Sequence, residues 1–201
     1  MRMLAPAALA VAMLAAGSDI VTRAAYDGWR QPRDAAPHPA TIVVDEGPGP
    51  SSLRALVAKS DLIVRGRIGT PGAPEALAGA RAPLAVRYSP VVVLETLKSA
   101  APDSVRLMQF GGTIAADDRV VETRNPVALD FPPGGQSVLF LKKHPAVDAY
   151  VLVSSLVGVY RLDDDGRSVS LPADARQMPE LFGRRTMTAD ELRAAIARAG
   201  R

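Results

Sequence analysis

The sequence contains no cysteine, and only two of its 201 residues are histidines. The lack of cysteine excludes disulfide bonds, thiolate nucleophiles and cysteine-ligated zinc or iron–sulfur sites. His38 lies between Pro37 and Pro39, and His144 precedes Pro145 after a predicted strand, so neither has neighbours typical of a catalytic base. We therefore expect no cofactor and no metal site.

Aromatic residues are also scarce, with nine in the whole chain, and the net charge is only +3. Twenty of the 24 basic residues are arginines, and the basic surplus is C-terminal, where residues 167–201 carry 7 basic and 4 acidic groups. A nucleic-acid-binding surface normally combines a dense basic stripe with aromatic stacking partners. The sequence therefore predicts no nucleic-acid binding.

The N-terminus has the pattern of a secretory signal peptide. Arg2 is followed by an apolar run of 13 residues, 4–16, which is too short to cross about 30 Å of hydrocarbon. Small residues permit cleavage after Gly17 or after Ala24. We expect a bacterial protein exported to the periplasm or the extracellular space, with no stable membrane span after cleavage. An uncleaved N-terminal anchor is the alternative.

Composition divides the chain into four segments. The signal peptide is assigned to residues 1–24, and residues 25–50 form a proline-rich linker with an extended stretch at 41–44. Residues 51–172 form the β-barrel domain. The C-terminal segment, 173–201, contains a helix at 188–199 that begins with the capping-box pattern Thr188-Ala189-Asp190-Glu191.

Alternating apolar residues predict a mainly β domain. Ser51 and Ser52 can cap a short helix that ends near Lys59, and a helical turn is possible at 75–77. The strand patterns lie at 61–68, 84–97 with a bulge or an edge position at Pro90, 104–110, 119–123, 136–143, 149–162 with a bend near Ser154 or Gly158, and 168–171. This order predicts a small antiparallel OB-like barrel of five to seven strands, with a short N-terminal helix and a C-terminal helix.

Two acidic features have structural interpretations. Asp163-Asp164-Asp165-Gly166 has glycine at the wrong place for a calcium loop, whereas Asp-Gly favours a hairpin turn. Asp117, Asp118 and Asp130 would need a pocket that separates their pKa values to act as an acid–base pair, and a solvated loop is the better interpretation.

A serine hydrolase is a weak alternative. Ser154 and Ser155 lack the glycine-flanked elbow of such enzymes, and the base would have to be His144. Whether the protein is an enzyme therefore stays open, although a non-catalytic role is favoured.

Three arginines are the candidate binding residues. Arg65 and Arg67 share one face of the first barrel strand, and Arg87 lies on the expected partner strand. Such a cluster can bind an acidic ligand or a carboxylate of an envelope protein, whereas a solvated sheet face is the simpler interpretation.

Four motifs carry a resemblance to a group of bacterial exported proteins of unassigned function. They are Ser60-Asp61 with Gly66, Leu97-Lys98-Ser99, the run 135–141 (GQSVLFL), and Gly158-Val159-Tyr160 before Asp165-Gly166. The resemblance covers about residues 51–166 and implies an OB-like barrel, similar in shape to the netrin and metalloproteinase-inhibitor module. The inhibitors chelate zinc through an N-terminal cysteine, so that mechanism does not transfer.

These observations favour an exported, non-catalytic binding or interaction module. The alternatives are a hydrolase that uses Asp117, Asp118, Asp130 or Ser154, and an envelope structural protein held by an uncleaved N-terminus.

Overall fold

The structure is a computed structural model that describes residues 40–44, 47–80, 82–116, 119–127, 129, 131 and 134–201. The predicted signal peptide, the linker up to residue 39, and Asp117, Asp118 and Asp130 lie outside the described residues. Chain contacts define two compact units. Of the described residues, the first comprises those within 40–47, 73–87 and 109–127, and the second comprises those within 48–72, 88–108 and 129–201.

The described part of the chain is mainly β, with 43% of its residues in strands and 16% in helices. In chain order the described strands are β1 (Ala40–Val43), β2 (Leu62–Ile68), β3 (Glu75–Ala76), β4 (Ala85–Lys98), β5 (Ser104–Phe110), β6 (Gly112–Ala116), β7 (Arg119–Arg124), β8 (Gln136–Lys143), β9 (Tyr150–Leu152), β10 (Val159–Leu162), β11 (Ser168–Ser170) and β12 (Thr186–Thr188). The α-helices are α1 (Leu53–Lys59) and α2 (Ala189–Ala199), and two 3-10 helices span Asp174–Gln177 and Pro179–Leu181.

A closed five-stranded barrel forms the centre of the second unit. Its strands follow the order β8-β2-β4-β5-β9, and β9 pairs with β8 to close the ring. The β2–β4, β2–β8 and β8–β9 pairs are antiparallel, whereas β5 and β9 are parallel. The predicted OB-like barrel with two helices is therefore confirmed.

Both faces of the first half of β2 and of the centre of β8 are covered, which explains the continuous apolar runs Leu62–Val64 and Val138–Leu141. Leu62 and Val64 of β2 and Leu139 and Leu141 of β8 belong to the cluster inside the barrel. Their neighbours in sequence point the other way, into a second cluster with α1, α2 and β10; these neighbours are Ile63, Val138 and Phe140. Strands buried on both faces have no polar alternation.

The predicted N-terminal helix is confirmed as α1. Ser52 is its N-cap, and the Ser52 side chain accepts a hydrogen bond from the Ala55 N–H at 3.1 Å. The first two N–H groups of the helix, those of Leu53 and Arg54, donate to the Glu180 carboxylate at 3.2 and 3.3 Å. Three of the N–H groups that a helix start leaves without partners are thus satisfied.

The predicted capping box of α2 is also present. The Thr188 side chain accepts from the Glu191 N–H, and the Glu191 carboxylate accepts from the Thr188 N–H. Leu192, Ala195 and Ile196 then bury one face of α2 in the second cluster. Within the described part of the chain, no helix has the length and apolarity needed to span a bilayer.

The first unit contains a three-stranded sheet in the order β1-β7-β6. β1 runs parallel to β7, from Ala40 opposite Val121 to Val43 opposite Arg124. The extended stretch expected within the linker is therefore a paired strand. The helical turn expected at 75–77 is wrong, because Glu75 and Ala76 form β3 and pair with the first residues of β4.

Two details of the predicted strands are also wrong. The irregularities of β4 against β2 fall at Leu94 and Leu97, which the register skips, and not at Pro90. The pattern at 149–162 is two strands, because the chain turns where the Gly158 N–H donates to the Ser154 carbonyl at 2.8 Å. A Cβ at Gly158 would lie 2.5 Å from that carbonyl oxygen, so the turn requires glycine.

Candidate functional site

The outer face of β2 presents Arg65 and Arg67. Since Leu62, Val64 and Ile68 point into the barrel, the two arginines point outward, as a period of two requires. The antiparallel register places Arg67 opposite Val92 and Arg65 opposite Glu95 on β4. Residues directly opposite one another project from the same face, so these four side chains share the outer wall.

Two apolar side chains are exposed on this wall. Val92 is 51% exposed and Leu94 is 44% exposed. Leu94 is the extra residue of the bulge, since Gly66 lies opposite Val93 and Arg65 lies opposite Glu95. We call Arg67, Val92 and Leu94 the wall patch.

The Arg65 side chain forms hydrogen bonds within the protein. Its Nε and Nη2 donate to the Gln136 Oε1 at 3.0 and 2.8 Å. The guanidinium also packs so closely on Gly166 that a Cβ there would overlap Nη2. Gly166 has φ +70°, so this turn position favours glycine for both reasons.

Two further charged groups near this wall have partners among the described residues, whereas Arg67 does not. Glu95 accepts two hydrogen bonds from Arg193 of α2, at 2.7 and 3.0 Å, and the hydrogen bond that Arg193 donates to Glu95 is the main reason that the pKa of Arg193 is raised. Arg106 on β5 lies 4.1 Å from the centre of the Tyr88 ring. Arg67 is exposed and forms no ion pair with any other residue that the structure describes.

The structure does not bring all three predicted arginines together by strand pairing. Arg87 is exposed and belongs to the first unit, and the β2–β4 register ends at Ile68 opposite Val91. The sequence did not identify Val92 and Leu94 as site residues. The available signal was their spacing of two on β4, which placed them on one face.

The predicted hydrolase residues are engaged in local turns. The buried Ser154 Oγ accepts from the Leu156 N–H at 3.2 Å, and the His144 Nδ1 accepts from the Ala146 N–H at 3.2 Å. Partial burial lowers the pKa of His144. Both side chains thus use an acceptor atom to stabilise their own turns, the role expected of such residues outside a catalytic pair.

The Asp163–Gly166 segment forms the predicted hairpin turn between β10 and β11. The Asp163 carboxylate accepts from the N–H groups of Arg167 and Ser168 at 2.9 and 3.0 Å, and the bond from Ser168 is the main reason that its pKa is lowered. Nowhere in the described ranges do three or more His, Cys, Asp or Glu residues form a group suited to a metal ion.

Two of the four resemblance motifs stabilise the end of α1. The Ser60 Oγ donates to the Leu56 carbonyl at 2.7 Å, and the Lys98 Nζ donates to the Val57 carbonyl at 2.7 Å and to the Ser60 carbonyl. Ser99 has φ +61°, which explains a small residue after the lysine. These two motifs therefore make contacts that stabilise the fold.

No family model matches the chain, and neither a curated protein nor a solved structure matches it.

Proposed function

We propose that this protein is an exported, non-catalytic binding or interaction module that docks a partner protein on the wall patch. The observation that carries the proposal is the pair of half-exposed aliphatic side chains, Val92 and Leu94, next to Arg67. Protein interfaces commonly combine apolar contacts with arginine, and a sheet face holds such groups in fixed positions.

Charge indicates the chemistry of the partner. The guanidinium of Arg65 is held in place by hydrogen bonds to the neutral Gln136, and the charge of Glu95 is balanced by Arg193. Arg67 is the basic group of the patch and can form a bidentate contact with a carboxylate. We therefore expect a partner surface with aliphatic side chains and at least one acidic residue, consistent with an envelope protein.

The expected strength follows from burial. Fully burying a valine or leucine side chain contributes about 1.5–3 kcal/mol, and a side chain that is half exposed gains about half of that, or about 1 kcal/mol each. Two such side chains contribute about 2 kcal/mol, which is about a 30-fold effect on Kd. Removing both should weaken the complex by about that factor without unfolding the barrel.

Export is supported by the N-terminal sequence pattern, a basic residue followed by 13 apolar residues. The proposed location is the periplasm or the extracellular space. Mass spectrometry of the mature N-terminus tests this part. We expect cleavage after Gly17 or Ala24, and an intact Met1 on exported protein would contradict it.

Site-specific photo-crosslinking in the native host tests the docking surface. A benzophenone amino acid at position 92 should yield a discrete protein adduct, whereas the same group at Val120, which is 39% exposed on β7, should yield at least tenfold less. Leu94→Asp and Arg67→Glu should each reduce the position-92 adduct while the protein stays fully folded at the temperature of the experiment. Equal yields from both positions, or an adduct that neither substitution affects, would overturn the proposal.

A further inference from the structure

Phe182 stands at the tip of a tight turn between the second 3-10 helix and β12. Its φ and ψ are −53° and 129°, and Gly183 follows with φ +73°. The Arg184 N–H donates to the Leu181 carbonyl at 3.1 Å, which closes a type II β-turn. Glycine at the third position is what this turn type requires.

The backbone on both sides of the turn is anchored. Met178 and Leu181 are each 1% exposed, and the Gly183 N–H donates to the Arg176 carbonyl at 3.3 Å. On the other side, the Arg185 carbonyl accepts from the Leu171 N–H at 3.0 Å. The turn therefore holds the Phe182 backbone in a fixed position.

Phe182 is the most exposed large apolar side chain in the described ranges. It is 78% exposed, compared with 51% for Val92, the next in order. A phenylalanine presented in this way loses little conformational freedom when a partner covers it, because its backbone is already ordered.

The turn is also basic. Arg184 pairs with Glu191 at 3.3 Å, and both side chains are about half exposed. Arg185 is exposed and forms no ion pair with another described residue. The surrounding segment, 167–201, has three more basic than acidic residues. A binding site for the Phe182 turn should therefore carry acidic side chains around an apolar centre.

We propose that Phe182 is an anchor that inserts into an apolar, acid-rimmed pocket of a protein partner, with Arg185 contacting the acidic rim. Aromatic residues and arginine are the types most enriched in protein interfaces, and a protruding ring fits a pocket. This site is separate from the wall patch and does not depend on it.

A lipid bilayer is the less favourable occupant. A whole myristoyl chain binds a bilayer with a constant of only about 10⁴ M⁻¹. One benzyl group is much smaller, and Glu191 already offsets part of the nearby basic charge. A pocket that surrounds the ring on all sides buries it more completely than a membrane surface does.

The test places the benzophenone amino acid at position 182 of the full chain in its native host, with Gln177, an exposed residue of the first 3-10 helix, as the matched position. We expect a discrete protein adduct from position 182, at least tenfold above that from position 177. Mass spectrometry should map it to a partner peptide with apolar and acidic residues.

Charge reversal supplies the second readout. Arg185→Glu should reduce the position-182 adduct at least fivefold, whereas Arg198→Glu on α2 should leave it unchanged. Three results would overturn the proposal that Phe182 is an anchor: adducts with lipid only, no adduct at all, or an adduct whose yield Arg185→Glu does not change.

The two proposals fail separately. Loss of the position-92 adduct alone contradicts the wall patch, and loss of the position-182 adduct alone contradicts the anchor.

Discussion

Gly66→Val is the substitution that the barrel should tolerate least. Gly66 is buried where β2 meets the bulged part of β4, and a Cβ there would lie 2.6 Å from Val91 Cγ1 and 3.0 Å from the Val92 carbonyl oxygen. Val91 is fully buried, so its side chain has no free space to move into, and the carbonyl is fixed by the sheet. The added carbon must therefore displace the two strands.

The magnitude follows from two opposing effects. Overpacking a core costs about 1–3 kcal/mol, whereas replacing a strand glycine gains roughly 0.5–1 kcal/mol of backbone entropy. Gly66→Ala should therefore lower the free energy of unfolding by about 1–2 kcal/mol. Valine adds two γ carbons at the same place, so Gly66→Val should cost about 3 kcal/mol or more, a fall in Tm of about 6–12 °C.

Two control variants separate the causes. Gly134 has φ +85° and nothing within 4 Å of an added Cβ, so Gly134→Ala measures backbone strain without a clash, about 1–2 kcal/mol. Arg65→Ala removes the two hydrogen bonds to Gln136, worth about 1 kcal/mol in this half-buried setting. Thermal and urea unfolding followed by far-UV circular dichroism measure all four variants. A Gly66→Val protein as stable as Arg65→Ala would refute the packing argument.

Three further predictions concern the second apolar cluster and α1. Lys98→Met removes the ammonium group that donates hydrogen bonds to carbonyls at the end of α1, so it should lower the free energy of unfolding by about 1–2 kcal/mol. Urea titration measures this loss, and the control variant Lys142→Met should change stability little in the same assay. Burial opposes ionisation of Glu180, but the N–H groups of its own backbone, Leu53 and Arg54 outweigh that effect and lower its pKa. Because the pKa of Glu180 is lower in the folded protein than in the unfolded chain, the ionised carboxylate stabilises the fold fully at pH values above its ordinary pKa of 4.5. That stabilisation is lost as the pH falls through the pKa of Glu180 in the folded protein. Glu180→Gln should therefore be less stable than wild type at pH 7, and the difference should shrink as the pH falls below 4.5; a difference independent of pH would contradict this. Tyr160→Phe should be as stable as wild type or more stable by up to about 1 kcal/mol, because the buried Tyr160 hydroxyl has no hydrogen-bond partner among the residues that the structure describes. A loss of stability above about 1 kcal/mol in urea unfolding would show that the hydroxyl has a partner.

The elements that the sequence predicted correctly have strong local patterns. β5 and β8 match the expected ranges, and α1 begins after Ser52 as its cap predicts. Their boundaries depend on nearby residues, such as Gly111 after β5 and the capping box before α2. Local propensity and alternation are sufficient in these cases.

Pairings with distant partners could not be predicted. The sequence predicted an extended stretch at 41–44, but β1 is a strand because β7, some 80 residues later, pairs with it. The bulge at Leu94 arises from the register with β2, which no pattern within β4 contains. Tertiary pairing overrides weak local preference at such positions.

The same reason limits what the sequence could predict about the site. Arg65 and Arg67 look equivalent in sequence. In the fold, Gln136, 71 positions from Arg65, accepts the hydrogen bonds of Arg65, whereas Arg67 lies exposed on the wall. Glu95 similarly accepts hydrogen bonds from Arg193, 98 positions away. Which charged residue is available to a partner is thus decided by contacts that only the fold creates.

Stability and binding should therefore respond to different substitutions. The motif residues Ser60 and Lys98 make contacts to backbone carbonyls, so variants there should lower the Tm and reduce partner adducts only as far as they unfold the protein. Phe182 is 78% exposed and Leu94 is 44% exposed, so changing Phe182 removes little folding energy and changing Leu94 removes about 1 kcal/mol. Phe182→Ala should lose the adduct of its site at an unchanged Tm, and Leu94→Asp should lose the adduct of its site with a fall in Tm of only about 2–4 °C. A larger fall of Tm in parallel with the adduct yield in these two variants would mean that the side chains support the fold and do not contact a partner.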